Sequence, residues 1–415
     1  MLSPKLSFLF LFAVFHLIKT QRRIKDGQET DAEKRYVVYL VKAPTSPRAY
    51  DAWLCGGAIV SKDYIVTSAA CVEDVQHMYA IAGYKKYVPT SELENDQCTQ
   101  KMKKKVVFTC VPKSYELDYA KIEKWSFIDI AVVKVESPYN FNDMTYNTLC
   151  SYKPLSIPIN YETKYQEPGV DTMVLGWGHL DQWRKPEDST DYNQDTLHFA
   201  ATLIHDKEEC KKYFAEIGSL DHVIDKYMIC TLEGGNIDSK GEQILKSRPV
   251  ADGCTPNIER LKHGDIECEE DETVIMDETR KTFSKILMRQ QNKTRRQGFC
   301  QNDHGGPLVT WVGSHEVLVG VASVFRVTDD SYCTGPYLYT STQCNGAFLD
   351  CVVNEGETRR RAICDKDPSE RGFDTIERHI SWMNRPEGPA DNERLLMRPQ
   401  APLNKYYKWD VTPSA

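Results

Sequence analysis

Fourteen cysteines are the first chemistry this sequence offers. An even number of thiols either pairs into disulfides in an oxidising compartment or, in a reducing one, serves metals and catalysis. Two other residues could carry acid–base chemistry. His304 sits in Asn302-Asp303-His304-Gly305-Gly306-Pro307, and Asp129 opens the apolar run DIAVVKV. Together they supply two candidate metal ligands where closed sites commonly use four, so neither a metal nor a cofactor is expected. Asn292-Lys293-Thr294 is an N-glycosylation sequon, which acts as a glycan acceptor if the chain is secreted.

The N-terminus decides the compartment. Met1 to Thr20 reads MLSPKLSFLFLFAVFHLIKT, with Lys5 as a short basic region, an apolar stretch from Leu6 to Ile18, and Gln21-Arg22-Arg23 behind it. That stretch is too short to span a bilayer comfortably, and residues 1–20 read as a secretory signal. Secretion makes disulfides the expected state of the cysteines, with an extracellular localisation and no membrane association. The 415 residues, 41% apolar and 27% charged, exclude a collagen or a wholly disordered chain. A net charge of −8 argues against nucleic acid as a partner.

Short runs rich in Val, Ile, Tyr and Leu, punctuated by Gly, Pro, Asn and Asp, point to an all-β barrel or sandwich. The clearest are 36–41, 58–69, 129–135, 172–177 and 317–324. Two polar stretches, 231–297 and 342–371, interrupt this pattern as insertions. The first holds an acidic run at 265–271 and a basic one at 280–296; the second holds Arg359-Arg360-Arg361. Residues 373–383 read as a short amphipathic helix with Ile376, Ile380 and Met383 on one side. Residues 386–415 read as a tail.

Several segments, in order, resemble the chymotrypsin/trypsin family of serine peptidases: Arg23-Ile24-Lys25-Asp26-Gly27, WLCGGAIVSKDYIVTSAAC (53–71), DIAVVKV, GWG (176–178), GFCQNDHGGPLV (298–309) and PYLYT (336–340). The resemblance implies a chymotrypsin-like double six-stranded β-barrel over residues 24–385, with a C-terminal helix and the two large loop insertions. It also implies that residues 21–23 are a short pro-segment.

In that mechanism a serine attacks the carbonyl, a histidine takes its proton and an aspartate orients the imidazole. Here Ala70 occupies the histidine position and His304 the serine position, while Asp129 is kept. A methyl group cannot accept a proton. With no imidazole at position 70, two readings of His304 stay open: it fills the vacated pocket and does no chemistry, or it reaches Asp129 in a hydrogen bond. Asn302 replaces the oxyanion-hole glycine, and its side chain is expected to disfavour that backbone geometry. Phe325 and Tyr337 replace glycines that line the specificity pocket and are expected to block it. Gly298 stands where a trypsin places its acidic pocket base.

In the family, cleavage at the activation junction frees an Ile amino group that pairs with the aspartate before the nucleophile. Arg23, Ile24 and Asp303 hold those positions. The resemblance also implies the disulfides Cys55–Cys71, Cys210–Cys230 and Cys300–Cys333, and the paired loss of a family bridge at Thr172 and Thr310. Cys98–Cys110 and Cys254–Cys268 are expected to close local loops. Cys150, Cys344, Cys351 and Cys364 allow three connectivities. The function implied is that of a secreted, non-catalytic homologue acting by protein binding, as cofactor, decoy or regulator of a proteolytic pathway. Its partner would be an active protease or a protease substrate. The alternatives are residual or altered hydrolysis, and a structural secretory glycoprotein.

Overall fold

The computed structural model describes residues 28–29, 34–43, 52–75, 77–82, 86–116, 121–150, 152–185, 188–215, 217, 219–242, 298–354 and 362–382. The signal segment, Arg23, Ile24, Asn292, Cys254, Cys268 and the tail lie outside them, as does the arginine run.

Fourteen strands are described: β1 (Gln28–Glu29), β2 (Val37–Lys42), β3 (Leu54–Ile59), β4 (Tyr64–Thr67), β5 (Met78–Ile81), β6 (Lys103–Pro112) and β7 (Ala131–Val135), then β8 (Asp171–Gly176), β9 (His198–Ile204), β10 (Met228–Gly234), β11 (Pro307–Val312), β12 (His315–Val327), β13 (Cys333–Ser341) and β14 (Thr375–His379). The β-branched and aromatic residues of these runs suit pleated, buried surfaces. In the first barrel β2, β3, β4, β7, β6 and β5 close in that order, and β5 returns to pair with β2. In the second, β8, β9, β10, β13, β12 and β11 close, with β11 back on β8. Both are six-stranded and antiparallel, and closure removes most free edges. The two-residue β1 adds to β9.

Residues 373–383 do not form the expected helix. Thr375–His379 is strand β14, antiparallel to β6 with Thr375 opposite Pro112 and His379 opposite Phe108. β5 covers β6 only as far as Lys105, and β7 lies along the other edge, so the edge at Phe108–Pro112 needs a partner. Satisfying those backbone groups outweighs the helical spacing of Ile376 and Ile380. Beyond the strand, Ile380 N donates to Val107 O at 2.8 Å. Trp382 stacks on Tyr79 and donates from Nε1 to Val106 O at 2.9 Å. Arg378 pairs with Glu73 in the helix Ala69–Asp74.

The first insertion starts later than the sequence reading placed it. Thr231 to Gly234 complete β10, Asn236 N donates to Asp171 Oδ1, and Ile237 is buried, so the chain stays packed on the barrel as far as Ile237. Within 342–371, a helix over Gly346–Val353 buries Phe348 and Leu349.

Disulfides join Cys55 to Cys71, Cys210 to Cys230, Cys300 to Cys333 and Cys351 to Cys364. The expected Cys98–Cys110 bridge is replaced by Cys98–Cys150. Helix α1 is Ala69–Asp74; α2 (Gln97–Met102), which carries Cys98, packs on α3 (Thr145–Cys150), which ends at Cys150. Cys110 is instead buried in β6, in register with Val132 and Glu377. Cys344 is exposed and forms no disulfide among the described residues. Non-reducing peptide mapping should recover Cys98 linked to Cys150; a Cys98–Cys110 peptide would refute this pairing.

Candidate functional site

Asp129 ends a short 3-10 turn (Ser126–Ile128), just before β7, and is fully buried. Each carboxylate oxygen has two partners. Oδ1 accepts from Ser68 Oγ at 2.6 Å and from Ala70 N at 2.9 Å. Oδ2 accepts from Ser323 Oγ at 2.7 Å and lies 2.8 Å from His304 Nε2. An ionised carboxylate only accepts, so Nε2 carries the proton of that bond. Burial alone pushes the Asp129 carboxyl up. The adjacent His304 and the hydrogen bonds from His304, Ser68 and Ser323 outweigh it and hold the group below its ordinary value.

Local sequence explains how these donors arrive. Ser68 caps α1, accepting from Ala70 N at 3.0 Å while its own hydroxyl proton goes to Asp129. Ser323 lies on β12 and His304 on the turn that leads into β11. His304 is buried, and its carbonyl accepts from Gly56 N at 2.7 Å, which ties the turn to the first barrel.

Next to it, Asp303 turns inward. Its Oδ1 accepts from Gly178 N at 2.7 Å and its Oδ2 from Cys300 N at 3.0 Å. A Cβ on Gly178 would lie 2.7 Å from the Asp303 carboxyl carbon, so this approach requires glycine. Asn302 takes φ 71°, contrary to the expectation that its side chain disfavours such geometry. Asparagine tolerates the left-handed region better than most side chains, and here its amide is anchored. Nδ2 donates to Asn193 Oδ1 at 2.8 Å and to Ala52 O at 3.1 Å.

An aromatic cluster stands beside this turn. Phe299 packs on Phe325, Tyr337 and Tyr339 with ring centroids 5.5, 5.7 and 5.1 Å apart. Trp183 adds a further contact to Phe325 at 5.8 Å. Phe325 is 1% exposed and Tyr337 5%. Tyr337 lies flat against Gly298, where a Cβ would come within 2.3 Å of the ring.

A family model described as Trypsin matches residues 24–241. The chain belongs to the trypsin family. Among curated relatives, bovine (Bos taurus) coagulation factor XI is 27% identical over 191 residues, which is 46% of this chain and 26% of that protein. The chain therefore spans about a quarter of that relative's length. Snake venom serine protease 2B of Craspedocephalus gramineus is 24% identical over 245 residues, covering 58% of this chain and 79% of the venom protein. Of solved structures, the scabies mite inactivated protease paralogue S-D1 aligns with a TM-score of 0.46 at 14% identity, over 81% of this chain and all of that one.

For this trypsin-family chain, the residues singled out by sequence do converge. Ala70, Asp129, Asn302, Asp303 and His304 share one region, with Phe325 and Tyr337 beside it. Thr172 and Thr310 lie on paired strands, and their hydroxyls donate to Thr202 O and Asp171 O at 3.0 and 2.9 Å. Sequence reasoning missed three contributors. Phe299 was legible in principle, because it follows Gly298 in the same pocket-forming segment. Ser68 was legible as a helix cap but not as a ligand of Asp129. Trp183 comes from a polar loop whose course no local pattern reveals. Among the described residues no cluster could hold a metal, and no helix is long and apolar enough to cross a membrane.

Replacing Asp129 by Asn should cost about 3 kcal/mol of stability, because it removes one half of a buried pair. The depressed carboxyl also sets a sign for acid unfolding. Its stabilising contribution is fully present above the unfolded-state value of about 4 and is lost as pH falls through the lower folded-state value. Denaturant titrations across this range should therefore show a smaller acid dependence for Asp129→Asn than for wild type.

Proposed function

We propose that this chain is a secreted, catalytically inactive trypsin homologue that acts by binding protein. One observation carries the reading. The base position holds a methyl group, and the imidazole at the nucleophile position is turned into a bond with Asp129. The base position thus offers no proton acceptor and the nucleophile position no hydroxyl, while the neighbouring Ser68 and Ser323 hydroxyls are both committed to Asp129. The filled aromatic pocket supports the same conclusion. The partner proposed is an active protease or the substrate of one. Its proposed landing surface lies within the 231–297 insertion, which carries an acidic run at 265–271 and a basic one at 280–296. Glycosylation at Asn292 belongs to the same proposal.

An N-terminal switch is part of this reading. Cleavage after Arg23 would free the Ile24 amino group for the Asp303 carboxylate. In support, β1 pairs Glu29 with His198, which is in turn opposite Gly176. A Cβ on Gly176 would meet Asp303 at 2.1 Å, so the chain just after the junction lies two strands, about 10 Å, from the glycine that packs on this carboxylate. N-terminal sequencing of secreted material should find Ile24; chains starting only at Gln21 would remove the switch.

Recombinant protein should leave a peptide library uncut at concentrations where trypsin and chymotrypsin digest it. Robust cleavage that disappears in His304→Ala would establish hydrolysis by another route and overturn the proposal. Affinity capture from the native fluid should enrich a peptidase or its substrate with the intact chain, and lose it with a variant lacking 243–297.

A further inference from the structure

Two described stretches, His179–Lys185 and Asp188–Asp195, link the second barrel and the His304 turn to the first barrel beside the positions that the resemblance gives to the specificity pocket and oxyanion hole. The first stretch is fixed to the second barrel. Trp183 N donates to Ser331 O at 2.8 Å and Cys333 N to Asp181 O at 2.7 Å, with Gln182 bridged to Tyr332. The same first stretch is also fixed to the turn that carries His304. His179 N donates to Gln301 O, and Arg184 N to Gln301 Oε1, both at 2.9 Å. The second stretch is fixed to the first barrel. Tyr87 N donates to Asp195 O at 2.9 Å, and Tyr87 OH to Asp191 Oδ2 at 3.1 Å.

Asn302 completes the link. Its amide donates to Asn193 Oδ1 and Ala52 O, while Asn193 Nδ2 donates to the same carbonyl at 2.8 Å. These three groups form a closed triangle joining the turn, the second stretch and the first barrel. At the other end the Trp183 ring packs on Phe325, within the aromatic cluster. Trp183 thus packs on a pocket residue, and Asn193 is bonded to the residue at the oxyanion position.

Protease inhibitors that imitate substrates lay an extended loop along a substrate cleft and place one side chain in the pocket. They bind with little backbone rearrangement on either side. Here the loop would have to displace Trp183 and the Asn302–Asn193–Ala52 triangle, which costs several hydrogen bonds and buried ring contacts before any are regained. We propose that residues 179–185 and 188–195 are built-in occupants of the substrate-binding ground and shut out substrate-like inhibitors. The chain then acts as a cofactor or regulator, not as a decoy that draws inhibitors from active proteases. This inference rests on the binding role proposed above and narrows it.

Binding of a Kunitz-type inhibitor with an Arg or Lys insertion residue, and of one with a Leu or Phe, tests it. Each is titrated against the full chain by surface plasmon resonance, with trypsin and chymotrypsin as controls. Affinity at least 100-fold weaker than for the matching control is expected; any tighter complex overturns the proposal. The clasp is tested separately with Asn302→Gly, which keeps a left-handed backbone without strain. Hydrogen exchange at the Asn193 and Gln194 amides should accelerate at least tenfold while β10 and β13 stay protected. Unchanged exchange would show that Asn302 does not hold the second stretch. Partner capture reads the binding role itself, so its failure and an inhibitor complex are distinguishable results.

Discussion

A fully buried carboxylate governs this structure. Removing a charge from water is costly, and the protein must return nearly all of that cost through bonds to both oxygens. Asp129 is answered by the α1 cap Ser68, the Ala70 amide, Ser323 from β12 and His304 from the turn before β11. Those donors come from both barrels. The charge therefore fixes how the turn, the capped helix and the second barrel meet, and it constrains which residues can occupy each place. With alanine at position 70, no imidazole lies on the first-barrel side, and the one at position 304 supplies the missing partner from the opposite direction.

The same exchange recurs in the pocket. Glycines that would leave space for a substrate side chain are Phe325 and Tyr337, and their rings are held by Phe299 and Trp183 instead of being left to solvent. Each ring contact contributes on the order of 1 kcal/mol beyond burial. Space kept open for a substrate lowers stability; filling it turns a liability into core. At Asp129 and in the aromatic cluster alike, this chain's own side chains supply the packing partners.

Much of this was legible because ordered motifs place strands and turns independently of detail. DIAVVKV and NDHGGP position Asp129 and His304 whatever the loops do, and the joint loss of cysteines at Thr172 and Thr310 marked a paired position. The failures share a cause: the deciding partner was remote. Ile376 and Ile380 have helical spacing, yet an unpaired edge of β6 claimed them. Cys98 looked toward the nearby Cys110, while the packing of α2 on α3 brought Cys150 to it. The polar stretch after β10 was read as insertion from position 231, though Asn236 is tied back to Asp171. Trp183 gave no signal because its significance lies in what the loop crosses, not in its neighbours.

The pairing of β14 with β6 has a consequence for how the protein is made. Arg378 and Glu73 lie 305 residues apart, and the barrel that begins the chain is finished by one of its last described strands. During synthesis the first barrel emerges with the Phe108–Pro112 edge uncovered, and it stays so while the entire second barrel is translated. An exposed β-edge over that interval invites pairing with other chains. The fold must therefore be completed from its far end, and truncation near the C-terminus would be felt in the N-terminal half.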